Sequence, residues 1–449
     1  MHKQFHLLVV GTGTAATVAA WRARDAGWSV AVIDYRRFGG TCALRGCDPK
    51  RVLVDAAAAY DDAKRRHGKG LAGEVRLDWQ VLMNFKRTFT DPVPEKREAL
   101  YADKGIAAFH GHARFTGANV IDVDGDTLEG RYILIAAGAE PANLGIPGEQ
   151  YLVTSETLLT LDLLPHRILI VGGGFIAAEF SHVAARGGAQ VTIVGESDRM
   201  LSEFAAETVD WLMPAFDAAG IEVHTGTAVE AIEQRDGAYL VRASKDGKPL
   251  QFNADLVVHA AGRKPDLQAL GVEAAGIELE HGRLRLSGYL QSVSNPAVYA
   301  AGDAASMGPQ LTPVATYDAK VAIDNILKGN HRTVDYSVVP SVAFTIPPIA
   351  TVGLDEQEAN DKQLKFRVCC ANAADWFTAR RSAQPVYGYK ILVEEDSGRI
   401  LGAHLVGPNV DELINLFALA IRHGLSADAL KETLFAYPTG ASDIGSMLG

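Results

Sequence analysis

The chain has 449 residues, 48% of them hydrophobic and 22% charged, enough for two to four globular domains with ample core. Its formal net charge of −11 argues against general nucleic-acid binding, which calls for a basic surface. No run of about 18 apolar residues appears, so no membrane span is expected, and four cysteines are too few for a disulfide scaffold of this size.

The sequence enters an apolar run directly after Met-His-Lys-Gln, so no secretory signal or leading domain is expected and the cytoplasm is the expected setting. Disulfides there tend to be transient and catalytic, so cysteine spacing takes a chemical reading first.

Residues 5–10 read as a buried parallel strand ending at Gly11. Gly11-Thr12-Gly13-Thr14-Ala15-Ala16 follows, then a helix to about residue 25 and a strand at 30–33 ending on Asp34. The same design returns at 167–171, with Gly172-Gly173-Gly174-Phe175-Ile176-Ala177, a helix and a strand at 191–194. One such glycine pattern is weak evidence, but two, each between strand and helix, point to two dinucleotide sites. The glycines allow a tight turn and close backbone approach, and the pyrophosphate rests on the helix N-terminus. Asp34 lies 23 positions after Gly11, where an acid accepts hydrogen bonds from ribose hydroxyls. The matching position in the second motif is Gly195, followed by Glu196, which would repel a 2′-phosphate; Arg199 would attract one. The balance favours NADH over NADPH.

Cys42 and Cys47 lie between the first motif and Pro49-Lys50. On a regular helix residues five apart have Cα atoms about 8.6 Å apart, and a disulfide needs less than about 7 Å. The pair can close only if the helix is distorted, which Gly46 permits. Lys50 and Glu179, each alone an ordinary surface charge, together suggest a buried ion pair. Residues 48–105 read as polar and helical, and 106–136 as short strands. Residues 132–138 and 256–262 close two layers at Ala137-Gly138 and Gly262. From about 336 strands precede helices, an α+β pattern. The adjacent Cys369 and Cys370 sit in a strand-like run, where neighbours point to opposite faces, and read as packing residues.

These motifs resemble the class I pyridine nucleotide–disulfide oxidoreductases, almost end to end. The likeness rests on Gly39-Gly40-Thr41-Cys42 through Cys47-Asp48-Pro49-Lys50, on Ala301-Gly302-Asp303, on Leu311-Thr312-Pro313-Val314-Ala315 and on residues 344–353. It implies an α/β fold: two Rossmann-like nucleotide-binding domains plus an α+β C-terminal dimerisation domain. FAD would take 1–145 and 263–335, NAD(P)H 146–262, and the interface 336–449. The resemblance further implies that Cys42 attacks substrate and Cys47 contacts the flavin. Asp303 would hold the ribitol side, Phe175 would gate the nicotinamide, and Lys50 with Glu179 would stand beside flavin N5. The implied partner is a second copy of the chain, its C-terminal domain completing the active site.

The family ends with a His base and an orienting Glu; here the text is Tyr437-Pro438-Thr439-Gly440-Ala441-Ser442, with Asp443 one step late. A phenol, with a reference pKa near 10, donates a hydrogen bond but is a poor base at neutral pH. Arg45 and Asp48 also place charges where better-known members carry neutral residues, and no cysteine follows Tyr437. The expected activity is NAD(P)H-dependent reduction, through FAD and Cys42–Cys47, of a small disulfide or other thiol-reactive acceptor. Alternatives are a diaphorase or quinone-type flavin reductase, a mercuric or metal-ion reductase, and a non-enzymatic flavin-binding partner. No resident metal, nucleic acid or membrane is expected.

Overall fold

The computed structural model describes residues 2–449. The chain gathers into two compact units, each assembled from separate stretches. One takes the stretch ending at Lys50 with Phe85–Ala142 and Arg263–Tyr336; the other takes Arg51–Asn84, Asn143–Gly262 and Ser337–Gly449. The α/β class is as expected, with parallel and antiparallel pairing in the sheets. No described helix is long and apolar enough to cross a membrane.

The first unit is built on a seven-stranded sheet. Ala107–His110, Val30–Asp34, His2–Val10 and Asp126–Ile135 run parallel in that order, with Val298–Ala300 also parallel to Asp126–Ile135. Val120–Val123 and Ala113–Gly117 continue the sheet antiparallel. Residues 7–10 and 30–33 are buried throughout, because a parallel sheet is covered on both faces and every side chain needs an apolar neighbour. The helix Thr14–Asp25 carries buried Ala15, Ala16, Ala19, Ala20 and Ala23, and packs against the helix Thr312–Lys328. Alanines keep the backbone close to the sheet at no cost in side-chain entropy.

The second unit holds a five-stranded parallel sheet ordered Ile221–His224, Gln190–Val194, Arg167–Val171, Leu256–His259, Val153–Thr154. A three-stranded antiparallel sheet spans Ala228–Arg235, Ala238–Lys245 and Lys248–Ala254. The C-terminal stretch forms a five-stranded antiparallel sheet of Ser341–Ala343, Ile349–Gly353, Ile400–Val406, Gly388–Glu394 and Phe366–Asn372. The helix Val410–Arg422 lies on it, burying Val410, Leu413, Ile414 and Phe417, the spacing of one helical face.

This unit contains both the second glycine motif and the C-terminal sheet. Lys390, buried on the strand Gly388–Glu394, donates to Glu207 Oε1 at 2.7 Å and pairs with Glu356. Glu207 opens the helix Ala206–Ala218, and Trp211 of that helix packs so closely on Gly388 that a Cβ there would strike its ring. A buried ammonium is tolerated only when paired, so Lys390 binds the two layers through carboxylates from both.

Candidate active site

Each glycine motif turns where a strand ends under a neighbouring carbonyl. Gly11 (φ +111°) and Gly172 (φ +127°) occupy backbone conformations that side chains rarely adopt, and a Cβ would collide with the carbonyl of Ala136 or Ala260 respectively. Gly13 and Gly174 then hand over to the helices Thr14–Asp25 and Phe175–Arg186, whose Ala16 and Ala177 are fully buried. Neither helix start has a side-chain cap, so their N–H groups stay available to an anion.

In the first unit Asp34 Oδ2 accepts from the Thr12 N–H (3.0 Å) and hydroxyl (2.6 Å), and Oδ1 accepts from the Arg36 N–H (2.9 Å). An ionised carboxylate has about four acceptor sites, so capacity remains for ribose hydroxyls. Beside it a cleft is lined by Gly11, Asp34, Tyr35, His112, Ala137 and Asp266. Tyr35 and His112 stack at 4.4 Å, and the Tyr35 hydroxyl donates to Asp266 at 3.1 Å. Beyond Gly138 (φ +78°) an added Cβ would meet no atom within 4 Å. Uncapped N–H groups, a carboxylate and kept space suit a dinucleotide such as FAD.

Thr12, between the glycines and with no sequence signal of its own, also accepts from the Gly39 N–H at 3.3 Å. Gly40 (φ +73°) crosses Gly13 so closely that any Cβ would strike its Cα, and Thr41 follows. This crossing places the cysteine segment on the first glycine turn. Gly302 donates its N–H to Asp318 (3.1 Å), which also accepts the Tyr336 hydroxyl (2.7 Å), and burial pushes Asp318 up to about 6. Burial also raises Asp303, opposed by the Arg263 guanidinium at 3.5 Å. Thr312 and Pro313 open the helix Thr312–Lys328, Val314 is buried, and Ala315 lies against Gly302. Proline is tolerated there because its missing N–H belongs to the uncapped first turn.

The cysteines sit on two helices. Gly40–Arg45 ends at Gly46 (φ −146°, ψ −115°), and Cys47–Arg66 begins at the next residue. That break is the distortion the spacing requires. Both thiols are free, and their surroundings differ. The Cys42 thiol hydrogen-bonds to Cys47 and lowers it to about 6; the Thr312 hydroxyl at 3.4 Å and the charge of Lys50 assist, while partial burial and Asp48 oppose. The same bond, then burial and the charges of Cys47 and Asp48, push Cys42 up. Asp48 Oδ1 is a second acceptor within reach of the same proton, 3.8 Å from Cys42 Sγ.

In the second unit Glu179 is buried on the helix Phe175–Arg186 and accepts the Phe344 N–H at 2.9 Å, while Phe175 at the helix start is partly exposed. Glu196 is exposed. Arg199 donates to the carbonyls of Phe204 and Ser202, both at 2.7 Å. Gly262 (φ +103°) ends its layer with open space beyond it.

Tyr437 is 80% exposed. Ser442, at the place of the orienting acid, is spent on Thr439: its hydroxyl donates to the Thr439 carbonyl (2.6 Å) and accepts the Thr439 N–H. Asp443 accepts the Tyr387 hydroxyl at 2.9 Å. Cys369 lies near Arg367 and the Leu448 carbonyl, and Cys370 is largely exposed on the edge strand Phe366–Asn372, its thiol raised by partial desolvation and by Glu207.

The profile described as pyridine nucleotide-disulphide oxidoreductase matches residues 5–319, and that of the family's dimerisation domain matches residues 339–448. A mercuric reductase of Lysinibacillus sphaericus is 32% identical, over 98% of this chain and 81% of its own length. A dihydrolipoyl dehydrogenase of Geobacillus stearothermophilus is 30% identical, over 96% of this chain and 93% of its own. Among solved structures, a Cu(II) complex of the HOCl-induced flavoprotein disulfide reductase RclA from Escherichia coli aligns over 99% of both chains with a TM-score of 0.88 and 26% identity. With two glycine turns, a dithiol on a broken helix and a dimerisation domain, the chain belongs to the class I pyridine nucleotide–disulfide oxidoreductases, a family of FAD-dependent, NAD(P)H-linked oxidoreductases.

Proposed function

We propose that the protein is an NADH-dependent reductase that delivers electrons through Cys42 and Cys47 to a small disulfide or another thiol-reactive acceptor. The observation that carries this reading is the unequal pair of thiols: Cys47 lowered to about 6 and Cys42 raised, on either side of the break at Gly46. A dithiol that keeps one sulfur as thiolate and the other as thiol has its roles divided before an acceptor arrives. When bound, FAD would pass the two electrons of a nicotinamide hydride to this pair.

The chain's own groups take the following parts. Gly11, Gly13 and Asp34 hold the adenosine half of FAD; Gly302, Asp303 and the helix starting at Thr312 hold the flavin half; Lys50 supplies positive charge to the Cys47 thiolate. Gly172, Gly174 and Phe175 receive the nicotinamide nucleotide, and Glu179 of the same helix fixes the Phe344 backbone N–H. Exposed Glu196 and the committed guanidinium of Arg199 support NADH over NADPH. Residues 146–262 and 336–449 serve as nicotinamide and interface domains. Tyr437 of the second copy in a homodimer presents a phenol to the acceptor. A reducing compartment such as the cytoplasm suits the pair.

The test is anaerobic titration with NADH. A long-wavelength charge-transfer band should grow at two electrons, and Cys47→Ser should abolish it; a band that survives removes Cys47 from the flavin-facing role. Relatives that are mercuric reductases and the Cu(II) complex of the similar structure favour a second acceptor class, a soft metal ion taken as substrate by the same thiols. Mercuric or cupric ion that stimulates NADH oxidation where small disulfides and quinones do not would select it.

A further inference from the structure

The conversion of the family's His to Tyr437 leaves the reaction without an imidazole to take the proton of the attacking thiol. The break at Gly46 supplies another group. It ends one helix just before Cys47 and starts the next, so Asp48 stands in a first turn one residue beyond the second cysteine. There its Oδ1 accepts the Cys42 thiol at 3.8 Å. Sulfur hydrogen bonds are long, and catalytic contacts tighten when substrate is present.

Resting on the reading of the pair as a disulfide-reducing dithiol, we propose that Asp48 is the proton acceptor for Cys42 when it attacks, and returns that proton to the departing thiolate. The groups of this chain that act on the two sulfurs include Asp48, Lys50 and the Thr312 hydroxyl. The Cys42 proton has two acceptors in reach, the Cys47 sulfur and the Asp48 carboxylate. Cys47 is the wrong one, because the second step needs it as a thiolate.

The step balances as follows. Cys42 gives its proton to Asp48, and its sulfur bonds to one sulfur of the acceptor disulfide. The acceptor's S–S bond breaks, and the leaving thiolate takes the proton from Asp48. The Cys47 thiolate then attacks Cys42 Sγ, the Cys42–Cys47 disulfide forms, and the second thiolate leaves and is protonated by water. The dithiol loses two electrons and the acceptor gains two. The carboxylate also raises Cys42, so it suppresses idle thiolate while serving the productive transfer.

The experiment isolates Cys42 as the sole thiol in holoprotein carrying Cys47→Ser, Cys369→Ala and Cys370→Ala, and measures mixed-disulfide formation by mass. Two probes are compared: bis(2-hydroxyethyl) disulfide, whose leaving thiolate is basic, and 4,4′-dithiodipyridine, whose leaving group needs no proton. Asp48→Asn should slow both reactions, because each needs the Cys42 proton removed, and should slow the first further, by about 10²-fold in all, because only its leaving thiolate needs that proton back. Asp48→Glu should restore the first. If Asn does not fold, Asp48→Ser, well suited to a helix start, takes its place. No slowing of either probe would overturn the assignment and leave Asp48 a helix-start residue, and equal slowing of both would overturn the return of the proton to the leaving thiolate. A wild-type protein that neither nicotinamide reduces would overturn the proposed function instead, because the single-thiol reaction uses no nicotinamide.

Discussion

Replacing Cys42 by alanine should convert Cys47 from a thiolate into a mostly protonated thiol near neutral pH. With Cys47 at about 6, roughly nine-tenths of it is ionised at pH 7, against a few per cent for an unperturbed thiol. The Cys42 hydrogen bond is the largest contributor; without it the Thr312 hydroxyl and Lys50 still favour the thiolate, while partial burial and Asp48 oppose it. The midpoint should therefore rise by about one to two pH units, leaving between about a half and a tenth as thiolate at pH 7. In Cys42→Ala no disulfide can form, so the thiolate shows itself as long-wavelength absorbance of the oxidised flavoprotein, titratable from pH 5 to 9. The wild-type midpoint comes from the two-electron-reduced protein. A variant midpoint still near that of wild type, or a wild-type midpoint at the unperturbed value, would refute the account of how the pair is polarised.

In stopped flow, flavin reduction by NADH should outpace small-disulfide turnover, and Tyr437→His should raise that turnover by about tenfold or more; rapid wild-type turnover with no gain from His would make Tyr437 a packing residue of the interface. Glu196→Arg should shift kcat/KM toward NADPH, and a wild-type preference for NADPH would show that Arg199 or another group binds the 2′-phosphate and dominates. His404 is buried, with Nδ1 2.7 Å from the Thr351 hydroxyl, and burial lowers it from 6.5 to about 4. The unfolded chain then binds more protons than the folded one between those values, so stability falls as pH drops through that window, by about 3 kcal/mol at full effect. His404→Gln should flatten this part of the Tm–pH curve, and an unchanged slope would assign it to other groups.

Much of the site is local in sequence, and that part was legible. A glycine turn, the helix after it and the acid closing the next strand all fall within one βαβ unit, so spacing alone locates Gly11, Gly13 and Asp34. The need for a distortion between Cys42 and Cys47 follows from helix geometry, and Gly46 is where it occurs. Direction was not legible. Arg199 lies beside the second turn, but whether its guanidinium faces a nucleotide or the carbonyls of Ser202 and Phe204 depends on the path of the following loop. Asp48 reads as an unusual charge, and only the folded break brings its oxygen to Cys42. Thr12 gives no signal in sequence because motif positions between glycines carry no fixed residue type, although its hydroxyl joins Asp34 to Gly39. The pairing of Lys390 with Glu207 spans 183 residues, and no local pattern announces it.

That pairing bears on modularity. The helix Ala206–Ala218 spends Glu207 and the face of Trp211 on the strand Gly388–Glu394. A fragment cut out at 146–262 would turn both toward water, and a chain shortened before the C-terminal sheet would leave an indole face bare. That stretch is thus not a portable cassette. Grafting it into another flavoprotein, or exchanging the C-terminal domain to change the partner copy, requires moving Lys390, Gly388 and Glu356 together with Glu207 and Trp211 as a single heritable block.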